Sequence, residues 1–248
     1  MPKWKLSSAT PKGVVFKKPE TGLFSKYPID RGALGWAAYN VSVGISRILV
    51  RIRAEGRGNI PASPPYVLSP NHETYFDGMW AASFLPKGHF ARLCSLAAQE
   101  LMSRHGTLGQ LMLRVGRGIP VDRLGNPVRA LILAKQQLEK GDIVLIHPEG
   151  TRSPDGEFGE FKDGAAYLSI KSGAPIVPVY IEGGYRVINR HMRWPDTFDW
   201  KRLRRRTITV TFGKPMQPCD YRDPKEMTER LAAWMQATRA RSRGLAPA

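Results

Sequence analysis

Tyr66-Val67-Leu68-Ser69-Pro70-Asn71-His72-Glu73-Thr74-Tyr75-Phe76-Asp77-Gly78 is the stretch on which the reading of this chain turns. Tyr66 to Ser69 reads as a short strand. Ser69-Pro70-Asn71 reads as a strand exit and turn, because a residue before proline is pushed to extended backbone and asparagine favours turns. An apolar helix follows within about 76–85. The same alternation then continues: strand 91–97, helix 100–115, strand 119–121, and a helix from Pro127 to Leu138 with proline at its start. Ile143 to Ile146 is a continuous apolar strand. It is followed by helix 165–172, strands at 176–181 and 207–212, and a C-terminal helix from Pro224 to Arg239 with Leu231, Trp234, Met235 and Thr238 on one side. Strands separated by helices imply an α/β fold, a largely parallel central sheet flanked by helices, with ligands near the strands' carboxyl ends.

Two segments carry chemistry, and each directly follows a strand. In the first, His72 precedes a carboxylate, Asp77, by five positions, a spacing that His191 and Asp196 repeat. On a regular helix that spacing puts side chains about 140° apart, at ~100° per residue. The pair therefore meets only if His72 lies ahead of the helix and Asp77 in its first turns, which the turn at Pro70-Asn71 allows. Asp77 would then accept from one ring nitrogen and leave the other as a base. His191, among Arg190, Met192, Arg193 and Trp194, reads as a loop residue. The second segment is His147-Pro148-Glu149-Gly150-Thr151-Arg152-Ser153. There Gly150 permits a tight turn and close backbone approach to an anion, Thr151 offers a hydroxyl and Arg152 a bidentate fork. Glu149 is read as holding Arg152 or binding a substrate hydroxyl, or all of it as a plain turn. Arg123, directly after a third strand, is placed to converge on the same anion, or to pair with Asp122 in a turn.

The chain of 248 residues carries a net charge of +17, and the charge is unevenly placed. Residues 1–53 contribute +8, residues 54–200 contribute +1, and residues 201–248 contribute +8. A nearly neutral body with basic ends suits a protein held against an anionic surface. Residues 1–30 read as an irregular arm. Between Gly32 and Ser46 there is no charged residue, and Leu34, Ala38, Val41, Ile45, Ile48 and Ile52 form one helical stripe, with Trp36 and Tyr39 beside it and Arg31, Arg47, Arg51 and Arg53 bracketing it. The run is shorter than the ~20 residues that span a bilayer, so an amphipathic helix lying in the interface, or one packed on the core, is expected. The expected division is thus 1–53, a basic arm and membrane-binding helix, and 54–248, the α/β body. Lys201-Arg202-Leu203-Arg204-Arg205-Arg206 would suit a nucleic-acid backbone, but that partner accounts for the ends and not for the neutral body. Cys94 and Cys219 form no CxxC pair, which fits a reducing compartment.

Asn71-His72 with Asp77, then Ile119-Pro120-Val121-Asp122-Arg123, then Pro148-Glu149-Gly150-Thr151-Arg152-Ser153, then Ile176-Val177-Pro178-Val179 resemble four ordered blocks of the glycerolipid (lysophospholipid) acyltransferase family. The likeness covers about residues 54–215 and is nearest to the bacterial 1-acylglycerol-3-phosphate enzymes. One departure is His147, where the family usually has phenylalanine. The resemblance implies that His72, oriented by Asp77, deprotonates the hydroxyl of a lysophospholipid, which attacks an acyl thioester carried by coenzyme A or acyl carrier protein. Arg123, Glu149, Gly150, Thr151 and Arg152 would hold the acceptor's phosphate. With lipid substrates, the basic ends and the helix at 32–53 lead to the expectation of peripheral attachment at the cytoplasmic face of the cell membrane. No HExxH, Walker, GxGxxG or GxSxG pattern is present, so neither a metal, a nucleotide cofactor nor a serine nucleophile is expected.

Overall fold

A computed structural model describes residues 27–122 and 127–244, and of residues 102–105 the backbone alone. Arg123 and most of the N-terminal arm lie outside these described residues. The chain enters through helix α1 (Gly32–Leu49) and strand β1 (Arg51–Glu55). Strand β2 (Tyr66–Pro70) leads to the short helix α2 (Asp77–Ala82), then α3 (His89–Arg92) and β3 (Leu93–Ala98). Helix α4 (Glu100–Val115), broken at Gly106, precedes β4 (Gly118–Val121). Next come α5 (Val128–Glu139), β5 (Ile143–Leu145), α6 (Gly164–Ser172), β6 (Ile176–Glu182) and α7 (Gly184–Val187). A small hairpin, β7 (Phe198–Asp199) and β8 (Arg204–Arg205), stands before β9 (Thr207–Phe212), and α8 (Pro224–Ser242) closes the fold. Helix α8 starts where expected: Asp223 Oδ1 accepts from Glu226 N at 2.9 Å, and Pro224 occupies its first turn.

Seven strands form one sheet in the order β1-β9-β6-β2-β5-β3-β4. All neighbours pair parallel except β6 with β9, which is antiparallel. The expected largely parallel α/β architecture is what the chain adopts. Both faces of the sheet are covered, which is why β2, β5 and most of β6 are buried at every position and read as unbroken apolar runs. Tyr66, Leu68, Ile143 and Leu145 face the cluster with Tyr39, Val43 and Trp80. Val67, Val144 and Ile176 face the opposite one, with Leu133, Leu168, Leu231 and Met235.

The first part of the chain differs from expectation in two ways. The stripe does not run through Ile52: α1 ends at Leu49, and Ile52 lies in β1, whose Arg51-Ile52-Arg53-Ala54-Glu55 alternates exposed and half-buried as an edge strand does. The division expected at residue 53 therefore falls inside a strand of the sheet. Arg31 is also not a flanking surface charge. It is 2% exposed, and its guanidinium donates to the carbonyls of Val115, Phe90 and Leu93 at 2.7–3.0 Å, tying together the end of α4, helix α3 and the start of β3. Burial lowers its pKa to about 10.

Helix α1 has two working faces. Gly35, Tyr39 and Val43 are buried on the body, with Tyr39 stacked on Phe90 at 3.7 Å between ring centroids. Leu34, Trp36, Val41, Ile45, Ile48 and Leu49 are exposed. Among the described residues, no helix is long and apolar enough to cross a membrane.

Topology then decides which end of the sheet carries the site. The carboxyl ends of β2, β5 and β6 share one edge because these strands are parallel. Strands β9 and β1 run the other way, so their amino ends, Thr207 and Arg51, lie at that same edge. The end of α1 and the β7–β8 hairpin therefore arrive beside the residues that follow β2.

Candidate active site

The site begins with Asn71, which continues β2 past its last residue. Its side-chain amide donates to Ile181 O at 3.1 Å and its carbonyl accepts from Ile181 N at 2.7 Å, so it pairs with β6 as a strand residue would. His72 follows on a loop that folds back over Asp77, the first residue of α2. His72 Nδ1 lies 3.1 Å from Asp77 Oδ2. The same oxygen accepts from the backbone N–H groups of Glu73 and Thr74, both at 2.7 Å, and Oδ1 accepts from the Thr74 hydroxyl at 2.9 Å. Asp77 is fully buried. Burial pushes its pKa up to about 6, against the pull of a nearby imidazole, His147, and of these donors. A carboxylate can only accept, so above that pH the proton sits on His72 Nδ1 and the lone pair is on Nε2.

The second segment clamps the first. His72 N donates to Glu149 Oε1 at 2.8 Å, and Ser153 N donates to His72 O at 2.7 Å, which fixes the His72 backbone from both sides. Glu149 is buried, and its other oxygen accepts from Gly159 N at 3.2 Å. Its carboxylate thus ties two loops together through backbone amides; of the readings open in the sequence, holding Arg152 is not the one the structure shows. Burial raises its pKa to about 7. Gly150 has φ +66°, the left-handed region that glycine tolerates, and a Cβ there would meet the Lys162 stem at 3.3 Å. Thr151 is exposed beside it.

Arg152 lies over the Tyr75 ring at 3.7 Å and donates to its hydroxyl at 3.0 Å, a stacked and directed geometry suited to guanidinium. Arg190 donates to the Arg152 carbonyl at 3.0 Å; burial, and to a lesser degree the Arg190 charge, lower the Arg152 pKa. Two cations brought together in this way favour an anion between or near them. Sequence reading missed Tyr75, Lys162 and Arg190. Tyr75 was legible only as an aromatic next to the expected pair; the other two depend on loops whose paths the sequence does not specify.

His147 lies against His72, the rings 3.7 Å apart and inclined by 10°. It fills the space of an aromatic ring. Its Nδ1 donates to the carbonyls of Pro70 and Asn71 at 3.0 and 3.1 Å, which fixes the plane on which His72 rests. Burial, and the adjacent His72, push its pKa down to about 3. Glu73, also buried, accepts from Tyr185 N at 2.7 Å and links the loop to α7, with its pKa raised to about 8 chiefly by burial. Among the described residues, no group of three or more His, Cys, Asp and Glu side chains is arranged to hold a metal ion.

Comparison with known proteins shows the family. Residues 51–182 match the sequence model of the acyltransferase family. A 1-acyl-sn-glycerol-3-phosphate acyltransferase of Pseudomonas aeruginosa is 31% identical over 207 residues, covering 80% of this chain and 74% of that one. The human 1-acyl-sn-glycerol-3-phosphate acyltransferase alpha is 32% identical over 133 residues, 52% of this chain and 45% of its own. The crystal structure of the 1-acyl-sn-glycerophosphate acyltransferase of Thermotoga maritima shares the fold, with a TM-score of 0.63 at 24% identity, over 83% of this chain and 75% of that one. The chain belongs to the acyltransferase family. It is an O-acyltransferase, similar in sequence to enzymes that carry the 1-acyl-sn-glycerol-3-phosphate name.

Proposed function

We propose that this enzyme transfers a fatty acyl group from a thioester, on coenzyme A or acyl carrier protein, to the free hydroxyl of 1-acylglycerol-3-phosphate, giving phosphatidic acid. The observation that carries the reading is the His72–Asp77 pair at 3.1 Å, whose backbone is held by the Glu149–Ser153 loop. The names of the relatives supply the acceptor class. His72 Nε2 takes the proton of the acceptor hydroxyl as its oxygen attacks the thioester carbonyl. The carbon–sulfur bond breaks, and the thiolate leaves with a proton returned from His72. Asp77 holds the imidazolium formed in between. The thioester is already activated, so the step needs no covalent acyl-enzyme and no metal or nucleotide cofactor. Arg152, stacked on Tyr75, contacts the acceptor's phosphate with Gly150 and Thr151, and Arg123 is assigned to the same anion from its place in the sequence.

The acceptor and donor chains are lipids, so the work is assigned to the surface of an anionic membrane, with the protein bound peripherally at its cytoplasmic face. The exposed stripe from Leu34 to Ile48 is the support for that assignment. The test is thiol release by the purified protein, supplied with acyl-CoA or acyl carrier protein thioesters and a panel of lysophospholipids. Release should require a phosphorylated acceptor and vanish in His72→Ala. Release at full rate with no acceptor, or full transfer by His72→Ala, overturns the reading.

A further inference from the structure

The segment before β9 departs from ordinary surface chemistry. Trp194, Trp200 and Leu203 are 75%, 78% and 76% exposed, among the most exposed large apolar side chains of the described residues. Trp200 and Leu203 stand at the tip of the β7–β8 hairpin, with exposed Lys201 and Arg202 between them and Arg204 and Arg205 just after. Leu203 has φ +47°, a conformation that costs a branched side chain energy and would relax in a tip free to choose. The tip is nevertheless well anchored. Arg206 pairs with Asp196 at its base, Arg206 N donates to Thr197 O at 2.8 Å, and Asp196 N donates to Val187 O at 2.8 Å. Phe198 packs edge-on against Trp200, with centroids 4.8 Å apart.

The hairpin is also joined to α1. Arg205 donates to the carbonyls of Arg47 and Ile48 at 3.0 and 2.7 Å, at the end of that helix, where Ile45, Ile48 and Leu49 are exposed. Both elements reach the sheet edge that carries His72. The hairpin base is linked through α7 and Tyr185 to Glu73 of the His72 loop.

We infer that the β7–β8 hairpin is a second lipid-contacting element, seating Trp200 and Leu203 at the headgroup boundary of an anionic leaflet beside the stripe of α1. The inference rests on the proposed action at a membrane surface. Indole is suited to that boundary, because it pairs a large apolar body with a donor, and Lys201, Arg202 and Arg204 around it match anionic headgroups. A nucleic acid is the other polyanion such a tip could meet. It has phosphates for the cations and bases for one indole, but nothing that draws out the aliphatic row of α1 alongside. Two contacts, one from a helix and one from a hairpin, orient the sheet edge toward the bilayer in a way that one helix lying flat does not.

The experiment compares the full-length wild type, W200S/L203S and, as the arm for α1, I45S/I48S. Each is incubated with phosphatidylcholine vesicles with or without phosphatidylglycerol, at low and high salt, and then sedimented. The hairpin variant should lose roughly tenfold in partitioning onto anionic vesicles, and the deficit should persist at high salt, where the cationic contribution is screened. Its thiol release with a monomeric short-chain acceptor and its melting temperature should match wild type. Unchanged partitioning of W200S/L203S, while I45S/I48S is impaired, overturns the hairpin and leaves membrane action standing. A wild type that binds no vesicles overturns both. Loss of DNA binding by W200S/L203S with vesicle binding intact assigns the tip to nucleic acid and overturns the inference.

Discussion

Twice in this chain an aspartate follows a histidine by five residues, and the two segments have opposite outcomes. His72 and Asp77 meet at 3.1 Å, with the carboxylate buried and three further donors on it. His191 is exposed and its Nε2 lies 3.0 Å from the Pro154 carbonyl, while Asp196 pairs with Arg206. The difference is made between the two residues, not at them. In the first segment, the N–H groups of Glu73 and Thr74 turn back onto Asp77 as it opens α2. In the second, Asp196 N is bonded to Val187 O, and the chain leaves in the direction of the hairpin. Spacing proposes a pair; a turn that wraps the carboxylate makes one.

The sharpest way to break this comparison is to remove each histidine and each aspartate in turn. His72→Ala should abolish transfer, and Asp77→Asn should cost on the order of 10²–10⁴ in kcat with folding intact. His191→Ala and Asp196→Asn should keep wild-type turnover on a monomeric acceptor. Loss of turnover in His191→Ala equal to that in His72→Ala would erase the distinction. The pair also carries a pH signature. Asp77, raised to about 6, holds the His72 proton on Nδ1 only while ionised. The rate should therefore fall as pH drops through about 6, and a profile flat from pH 8 to about 5 would remove Asp77 from the mechanism.

A smaller effect separates the two segments at the anion loop, where they touch. Arg152 presents its guanidinium to Tyr75, whereas Arg190 spends a donor on the Arg152 backbone. Arg152→Ala should weaken the phosphorylated acceptor by about 1.5–3 kcal/mol, the range for a hydrogen bond to a charged group, seen as a higher KM. Arg190→Ala should raise KM less, because it acts through the loop and through its field. Equal KM values for wild type and Arg152→Ala would move phosphate recognition elsewhere.

How far these segments could be read beforehand follows from which forces are local. The strands after which both motifs fall were legible because burial on two faces leaves unbroken apolar runs such as Ile143–Leu145. The need for His72 to precede a helix holding Asp77 followed from Pro70 and helical geometry. The role of Glu149 was not legible, since its partners are the backbone amides of His72 and Gly159, and no side-chain pattern announces a backbone donor. Strand β1 was hidden because Ile52 falls in step with the apolar repeat of α1, although Arg51 to Glu55 alternates. The hairpin was read as charge alone: Lys201 to Arg206 dominates the composition, and the exposure of Trp200 and Leu203 is a tertiary fact.

His147 offers the finest test, because it is a third histidine in contact with the first. If it serves as an aromatic plane under His72, then His147→Phe should retain activity within a few-fold and His147→Ala should lose more, as ring packing contributes about 0.5–1.5 kcal/mol beyond area. Stability should respond with a definite sign. The folded-state pKa, about 3, lies below the ~6.5 of an unfolded histidine, so between those values the unfolded chain holds the extra proton. Unfolding is thereby favoured as pH falls through that window, and the contribution of neutral His147 to stability is intact only above it. Phenylalanine binds no proton in either state. Relative to wild type, His147→Phe should gain about 2 kcal/mol between pH 7 and 5, with Asp77, Glu73 and Glu149 common to both chains and cancelling to first order. Urea melts at the two pH values measure the difference directly. Parallel stability curves for the two proteins would show that His147 takes up its proton in the folded state as readily as in the unfolded one, and that the stack on His72 does not hold it neutral.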